Sequence, residues 1–306
     1  MGLTCEPAAP SRGLPFLKWP GGKRWLSPAL APLIPMSGTY CEPFLGGGAM
    51  FFGREGSQAA LLADTNELLI QTFQVVRDSP DDLVAALSEM RVSEADYTRA
   101  RFSQPVNPVA AAARFLYLNR TAFNGLYRVN ADGAFNVPFG RRHGTNLCQR
   151  EILADCSARL RPAHLRAQDF RSTLAAIGEG DTAYIDPPYT TRHATNGFRR
   201  YNERLFTWLD QLELAEVSTR AAAAGTHIIV SNAPHQDVIA LYPKDLFLAR
   251  KIRRDSRVAA DARHRGAVWE LLIWSRSLGL DHRAVGRRLR SVQLESVPIA
   301  LPRKRS

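Results

Sequence analysis

Paired cysteines are missing from this chain. Its four cysteines, Cys5, Cys41, Cys148 and Cys156, lie far apart and form no Cys-x-x-Cys pair. That argues against a zinc site and against a secreted disulfide framework, so no metal is expected. Long hydrophobic runs are missing too: no stretch approaches the roughly 18 apolar residues that a membrane helix needs. The N-terminus lacks the basic-then-apolar pattern of a signal peptide. The expectation is a soluble, cytoplasmic chain with no membrane partner. Acidic residues are the third shortage. Forty Lys and Arg stand against 29 Asp and Glu, a formal net charge of +11. A polyanion is one natural partner for such a surface, because basic side chains displace counterions condensed on phosphates. A merely solvated basic surface accounts for the same number.

What is present is enough for a full catalytic domain and one further module: 306 residues, 45% hydrophobic and 23% charged. No repeat of fixed period is visible. Residues 1–14 are rich in Pro, Gly and Ala and read as loose. From Tyr40 a short strand leads into the loop Pro43-Phe44-Leu45-Gly46-Gly47-Gly48 and an apolar stretch Ala49–Phe52. A second strand, Ala59–Ala63, ends at Asp64 and is followed by a helical pattern from Glu67 to Val76. This alternation predicts a Rossmann-like α/β fold with a parallel sheet. Between Ser79 and Arg150 the strand signals stop. Helical spacing marks Leu83–Met90 and Ala110–Leu118, and a polar segment runs from Asn119 to Gly140. Strand patterns return at His164–Phe170, Thr182–Asp186 and His227–Ser231, with a helix over Leu209–Ala224. The simplest organisation is a discontinuous α/β domain, 1–78 and 151–276, carrying a mostly helical insertion at 79–150. Residues 277–306 form a basic tail. From Arg283 it holds seven Arg or Lys residues with little periodicity, and reads as disordered or as an arm on a polyanion, the former being the plainer reading.

Asp186-Pro187-Pro188-Tyr189 follows the apolar run Ala183-Tyr184-Ile185 and so sits at the carboxyl end of a strand, where open α/β sheets bind ligands. Two prolines stiffen the loop and remove two donors, leaving the Asp186 carboxylate, backbone carbonyls and an aromatic face. An exocyclic aromatic amine needs such a place. Its lone pair is delocalised into the ring, and acceptors on both N–H groups favour a more tetrahedral, nucleophilic nitrogen. Tyr189 can stack on a base flipped from a duplex. A strand-ending turn with a packing tyrosine is the bland alternative.

Three further segments stand in a telling order. Phe16-Leu17-Lys18-Trp19-Pro20-Gly21-Gly22-Lys23 allows close backbone approach at its glycines and offers a lysine and an indole. It lacks the spacing of a phosphate-binding P-loop. Glu42-Pro43-Phe44-Leu45-Gly46-Gly47-Gly48 is a glycine loop after the first strand, and Asp64 ends the second strand, where an adenosine ribose is held. Asp64 equally suits an N-cap for the next helix. Gln168-Asp169-Phe170 closes another strand. With the tetrapeptide, these segments resemble the Dam-type (D12 class, alpha-group) adenine-N6 DNA methyltransferases from about Phe16 to Trp274. The resemblance implies S-adenosylmethionine as cofactor and no metal. It assigns Trp19, Lys23, Glu42, Phe44, Gly46, Gly48, Asp64, Asp169 and Asp186 to cofactor binding, and Asp186, Pro187, Pro188 and Tyr189 to catalysis.

Phe115–Arg128, continued by Gly133–Gly140, is the closest match to that family, where it resembles a hairpin that enters DNA and reads bases. Asn124-Gly125 is a turn dipeptide. Phe123 and Tyr127 are candidates to wedge between bases, and Arg128 can bond a guanine edge bidentately. Arg120, Arg141 and Arg142 suit phosphates, and Pro138 joins the DNA-facing set. The bland alternative is a polar hairpin whose aromatics pack on the preceding helix, as Phe115 and Tyr117 are expected to do. Ala122 stands where the family has Gly, Tyr or Cys. The Ser/Asn-rich stretch before its last segment, here Arg263–Leu272, is replaced by Arg257–Ala262. The implied function is transfer of a methyl group to adenine N6 in duplex DNA, with GATC as the implied target. A monomer is expected, and a cognate restriction endonuclease is a conceivable companion. Alternatives are a methyltransferase of RNA adenine or of a protein amide, which would lack the Asn119–Gly140 insert, and a non-catalytic DNA-binding relative.

Overall fold

The structure is a computed structural model that describes residues 13–56, 58–130, 133–190, 206–255 and 267–302. The expectations placed on residues 1–12, and on the Arg257–Ala262 stretch with the start of the segment after it, lie outside the described residues. The strands are β1 (Tyr40–Glu42), β2 (Ala60–Asp64), β3 (Ala163–Ala167), β4 (Thr182–Ile185), β5 (His227–Asn232), β6 (Phe247–Asp255), β7 (Ala267–Ser275) and β8 (Ser296–Ile299). Helices in chain order are α1 (Ser27–Leu30), α2 (Ala49–Gly53), α3 (Glu67–Asp78), α4 (Pro80–Ser88), α5 (Glu94–Phe102), α6 (Pro108–Thr121), α7 (Arg150–Leu160), α8 (Phe170–Ala175), α9 (Trp208–Ala223), α10 (Gln236–Ile239) and α11 (His282–Ser291).

Contacts divide the chain into two compact units. The first comprises Met1–Trp25, Gly46–Ser57 and Asn66–Leu165; the second comprises Leu26–Leu45, Gln58–Thr65 and Arg166–Ser306. The first is helical. Asn66 caps α3 by accepting from Leu69 N, Ser93 caps α5 and Asn107 caps α6, each satisfying a donor that the first turn leaves open. α6 is the central helix: α3, α4 and α5 all pack on it, and Ala112, Leu116 and Tyr117 on it are fully enclosed.

The second unit is built on the sheet, whose order is β3-β2-β1-β4-β5-β7-β6-β8. β1 pairs in parallel with β2 and with β4, and β4 with β5. β7 runs antiparallel between β5 and β6. The strand order therefore reverses at β1 and β4, and the carboxyl ends of those two strands flank a topological switch point, the usual ligand crevice of an open α/β sheet. One face of the sheet (Cys41, Ala183, Ile185, Ile228, Val230, Leu271 and Ile273) packs with Phe170, Leu174, Leu214 and Ala215 of α8 and α9 into a closed core. Ile229 on the opposite face is also buried, as expected for a strand covered on both sides.

The α/β expectation is met by this central sheet, with strand ends displaced by a residue or a few. Residues 276–302 differ from the expected loose tail. α11 follows an Asp281 cap and buries Val285 and Leu289, and β8 extends the sheet along β6. The pin is Arg250 on β6, 5% exposed, which donates to His282 O at 2.8 Å and to Ser296 Oγ and O at 3.0 Å. A Cβ at Gly286 would lie 3.2 Å from this guanidinium, so the helix crosses it where the side chain is absent. Only two apolar positions anchor α11, too few for its period to be read from composition.

Candidate active site

The second unit gathers the tetrapeptide and most of the predicted acids at one sheet edge. β4 ends at Ile185, so Asp186 is the first residue past the strand. Neighbouring β1 ends at Glu42, in register two residues beyond the Tyr40–Thr182 pair. Glu42 is 2% exposed, and its Oε1 accepts from Tyr40 Oη at 2.7 Å. Tyr184 Oη lies 2.7 Å from Ser231 Oγ on β5. Burial, then the Asp186 carboxylate, pushes the Tyr184 phenol well above its ordinary pKa.

Tyr189 is held from across the sheet. Its hydroxyl donates to Glu270 Oε2 at 2.9 Å. Glu270, on β7 and 5% exposed, also receives Arg254 of β6 at 3.4 Å on Oε1. Burial and the charges of Asp186 and Glu270 hold the phenol protonated, well above its usual range. This brace was not anticipated from the sequence, because it joins positions 81 residues apart. Replacing Glu270 with alanine should lower turnover and leave the affinity for duplex DNA unchanged. The measurement is a double-mutant cycle with Tyr189→Phe, in which the Glu270 effect should vanish once the hydroxyl is gone.

Asp64 ends β2, and the cap of α3 falls to Asn66 instead, so the capping alternative for Asp64 is set aside. Its carbonyl accepts from Gln168 N at 3.2 Å. Asp169 caps α8 through Ser172 N at 3.0 Å and meets Arg171 at 3.3 Å. The backbone bond from Ser172, with help from Arg171, lowers its pKa. Arg171 is shared with Asp210 at 2.6 Å and Glu213 at 2.7 Å. Phe44 stacks on Phe170 (5.6 Å, 23°) and meets Phe206 edge-on, an apolar wall next in sequence to Asp169.

The first unit holds the remaining predicted residues. Gly46 and Gly48 adopt φ of 48° and 66°, and a Cβ at Gly46 would reach 2.7 Å from Trp19 Cδ1. A side chain there is excluded twice, by backbone conformation and by the indole. Trp19 stacks on Tyr127 (5.3 Å, 22°) and on Phe115 (6.2 Å, 29°). Lys23 is 3% exposed and donates to Gly21 O at 2.8 Å. The segment leading to Trp19 is clamped by Asn119, fully buried on α6. Its Oδ1 accepts from Lys18 N at 3.0 Å and its Nδ2 donates to Lys18 O at 2.6 Å. A polar residue at the start of a polar run gives no sequence signal for such a role.

The expected hairpin forms beyond α6. Antiparallel bridges join Ala122 to Phe139 and Val129 to Phe135, and Phe123 N donates to Pro138 O at 2.9 Å. Asn124 and Gly125 take φ of 54° and 64°, and Leu126 N closes on Phe123 O, a tight turn of the primed kind. Phe123, Asn124, Arg128 and Pro138 are exposed, as are Arg141 and Arg142. Two predicted DNA contacts sit differently. Tyr127 is not a free wedge, since its ring packs among Trp19, Phe115 and Phe135. Arg120 is not a surface cation. It is 4% exposed, donates to Phe16 O at 3.3 Å, and lines a cavity of about 440 Å³ with Lys18, Arg24, Thr145 and Asn146. Burial drops its pKa to about 10, since the helix that ends in the hairpin turns this side chain inward. Among the described residues there is no cluster of metal-ligating side chains, and no helix is long and apolar enough to cross a membrane.

A switch-point sheet carrying an acceptor-rich loop and carboxylates at consecutive strand ends is consistent with an S-adenosylmethionine-dependent methyltransferase fold. The sequence pattern of the D12 class N6 adenine-specific DNA methyltransferases matches residues 19–258, and the chain belongs to that family. It is 32% identical to the type II methyltransferase M1.LlaDCHI of Lactococcus lactis over 85% of this chain and 94% of that protein. The DNA adenine methylase of Escherichia coli K12 is 31% identical over 84% of this chain and 93% of its own length. The type II methyltransferase M.MjaIII of Methanocaldococcus jannaschii is 28% identical over 85% and 98%. The chain is accordingly an adenine-specific DNA methyltransferase.

Proposed function

We propose that the adenine this enzyme methylates lies within GATC, is extruded from the duplex, and meets the Asp186-Pro187-Pro188-Tyr189 loop. The observation that carries the reading of the loop is the Tyr189–Glu270 hydrogen bond, which fixes an aromatic ring beside the Asp186 carboxylate. The Asp186 carboxylate and the loop carbonyls accept the two N6–H bonds, which localises the nitrogen lone pair, and Asp186 takes up the N6 proton as the new N–C bond forms. Tyr189 stacks on the base, whose removal from the duplex exposes an edge otherwise buried by pairing. Pro187 and Pro188 keep the acceptors in place without donors of their own.

S-adenosylmethionine supplies, when bound, a methyl group on a positively charged sulfur. Residues in each unit suit parts of such a molecule. Lys23 is a buried cation suited to a carboxylate, Glu42 and Asp64 are acids suited to an ammonium and a ribose, and Trp19 stands against glycines that admit backbone contact. Phe44 and Asp169 are assigned to the adenine end, Asp169 sharing that role with its cap of α8. We assign residues 79–150 to target recognition, inserted between the catalytic segments 1–78 and 151–276. Phe123 is the wedge and Arg128 the base reader, with Asn124 and Pro138 beside them.

The test is incubation of the purified protein with labelled S-adenosylmethionine and unmethylated genomic DNA, followed by mapping of N6-methyladenine. Label confined to GATC is expected. Label in another sequence overturns the target, and no transfer at all overturns the catalytic assignment.

A further inference from the structure

The family match ends at residue 258, yet the described chain continues into α11 and β8. The arginines on and against these elements divide sharply. Arg250 and Arg288 are spent on structure: the first pins α11 and β8 as described, and the second donates to Pro28 O at 2.9 Å and Ala29 O at 3.3 Å. Arg283, Arg287 and Arg290 are exposed, and among the described residues their guanidinium groups make no hydrogen bond or ion pair. At 100° per residue they fall within an arc of about 60° on one side of the helix, spread over roughly 10 Å of its length. Buried Val285 and Leu289 face the other way.

The acids nearby neutralise this stripe only in part, Asp281 attracting Arg283 and Arg287 through space. Asp281 uses its Oδ1 to cap α11 at Ala284 N, and Glu295 pairs with Arg253 at 2.8 Å. Three exposed cations gathered in one arc repel one another in a free protein, so their arrangement suits an external anion. The chain that leaves α11 joins the sheet where Arg253 N donates to Glu295 O, two residues from the carboxyl end of β6. β6 runs parallel to β5, both being antiparallel to β7, so this end lies at the sheet edge that carries Asp186. The substrate at that edge is a continuous polyanion.

We propose that Arg283, Arg287 and Arg290 form an auxiliary contact with the phosphate backbone of duplex DNA, outside the bases that the hairpin reads. Such a contact adds affinity without sequence preference. The test compares the wild type with the variant carrying Arg283→Ala, Arg287→Ala and Arg290→Ala, and with a second carrying Lys at all three positions. Binding to a random duplex is measured across salt concentrations. Each phosphate contact contributes about 0.9 to the slope of log affinity against log salt, so the alanine variant should lose roughly 2 to 3 from that slope. The lysine variant should keep it. Turnover on saturating GATC duplex should be unchanged, which separates this surface from the catalytic loop. As a control for loss of charge alone, Arg220→Ala on α9, an arginine already paired with Glu216 at 2.5 Å, should leave the slope untouched. An unchanged slope in an alanine variant with wild-type melting temperature overturns the proposal, as does an equal loss in the lysine variant. If the triple alanine variant melts early, the three single variants are measured, and a slope equal to wild type in all of them overturns it.

Discussion

Replacing Asp186 with alanine should lower single-turnover methyl transfer by at least about a hundredfold, the usual effect of deleting one preorganised charge-stabilising group. Asp186 is the first residue beyond β4, its backbone constrained by the strand before it and the two prolines after it. Pro187, Pro188 and Tyr189 carry no negative charge, so no other side chain of the tetrapeptide can take over both the N6–H bond and the proton. Binding to duplex DNA should persist, because the exposed hairpin residues and arginines lie on other segments. The assay is single turnover at saturating S-adenosylmethionine, so that a weakened cofactor complex is not mistaken for slow chemistry. Asp186→Asn is the informative companion. It keeps an acceptor oxygen and loses the charge, and it should fall between wild type and alanine. Near-wild-type transfer by Asp186→Ala would remove the tetrapeptide from the mechanism.

The legible parts of this site are those whose chemistry is local in sequence. An apolar run stopped by an acid and two prolines announces a strand end and a rigid loop, and that is what Thr182–Tyr189 forms. The glycine loop was legible for the same reason: glycine is the residue that enters the left-handed conformations of Gly46 and Gly48 at least cost. Contacts made at long range were not legible. Glu270 looks like a charge in an otherwise apolar segment until β7 is seen to carry it to Tyr189. Asn119 and Arg120 look like surface polar residues until α6 turns them inward against Lys18 and Phe16. β6 escaped notice because the sequence Phe247–Asp255 mixes apolar and basic residues, and the burial of Arg250 depends on carbonyls and a hydroxyl that residues 282–296 supply. Capping was ambiguous for a different reason. Asp64 suits an N-cap by residue type, and only the folded backbone shows that Asn66 is the side chain that reaches Leu69 N.

The Arg128→Ala variant should lose about 1–3 kcal/mol of discrimination between a GATC duplex and one altered at the guanine, the worth of one bidentate base contact. The hairpin gives the reason for expecting specificity rather than affinity to suffer. Arg128 Nε donates to Asn136 Oδ1 at 2.8 Å across the two strands, and Asn136 N returns a bond to Arg128 O at 3.0 Å. The guanidinium is exposed yet braced on one edge, which reduces the rotamer entropy lost when its other donors meet a base. A flexible cation suffices for a phosphate; a planar fork held in one orientation suits a base edge. Asn136→Ala should therefore reproduce part of the discrimination loss while leaving the charge in place. Affinity for random duplex should change little in either variant, since one arginine among many sets only a small part of the salt-dependent term. The measurement is kcat/KM on matched and altered duplexes beside equilibrium binding to random DNA. Equal losses on cognate and random duplex would make Arg128 a backbone contact, and the recognised sequence would then have to be read elsewhere in the hairpin.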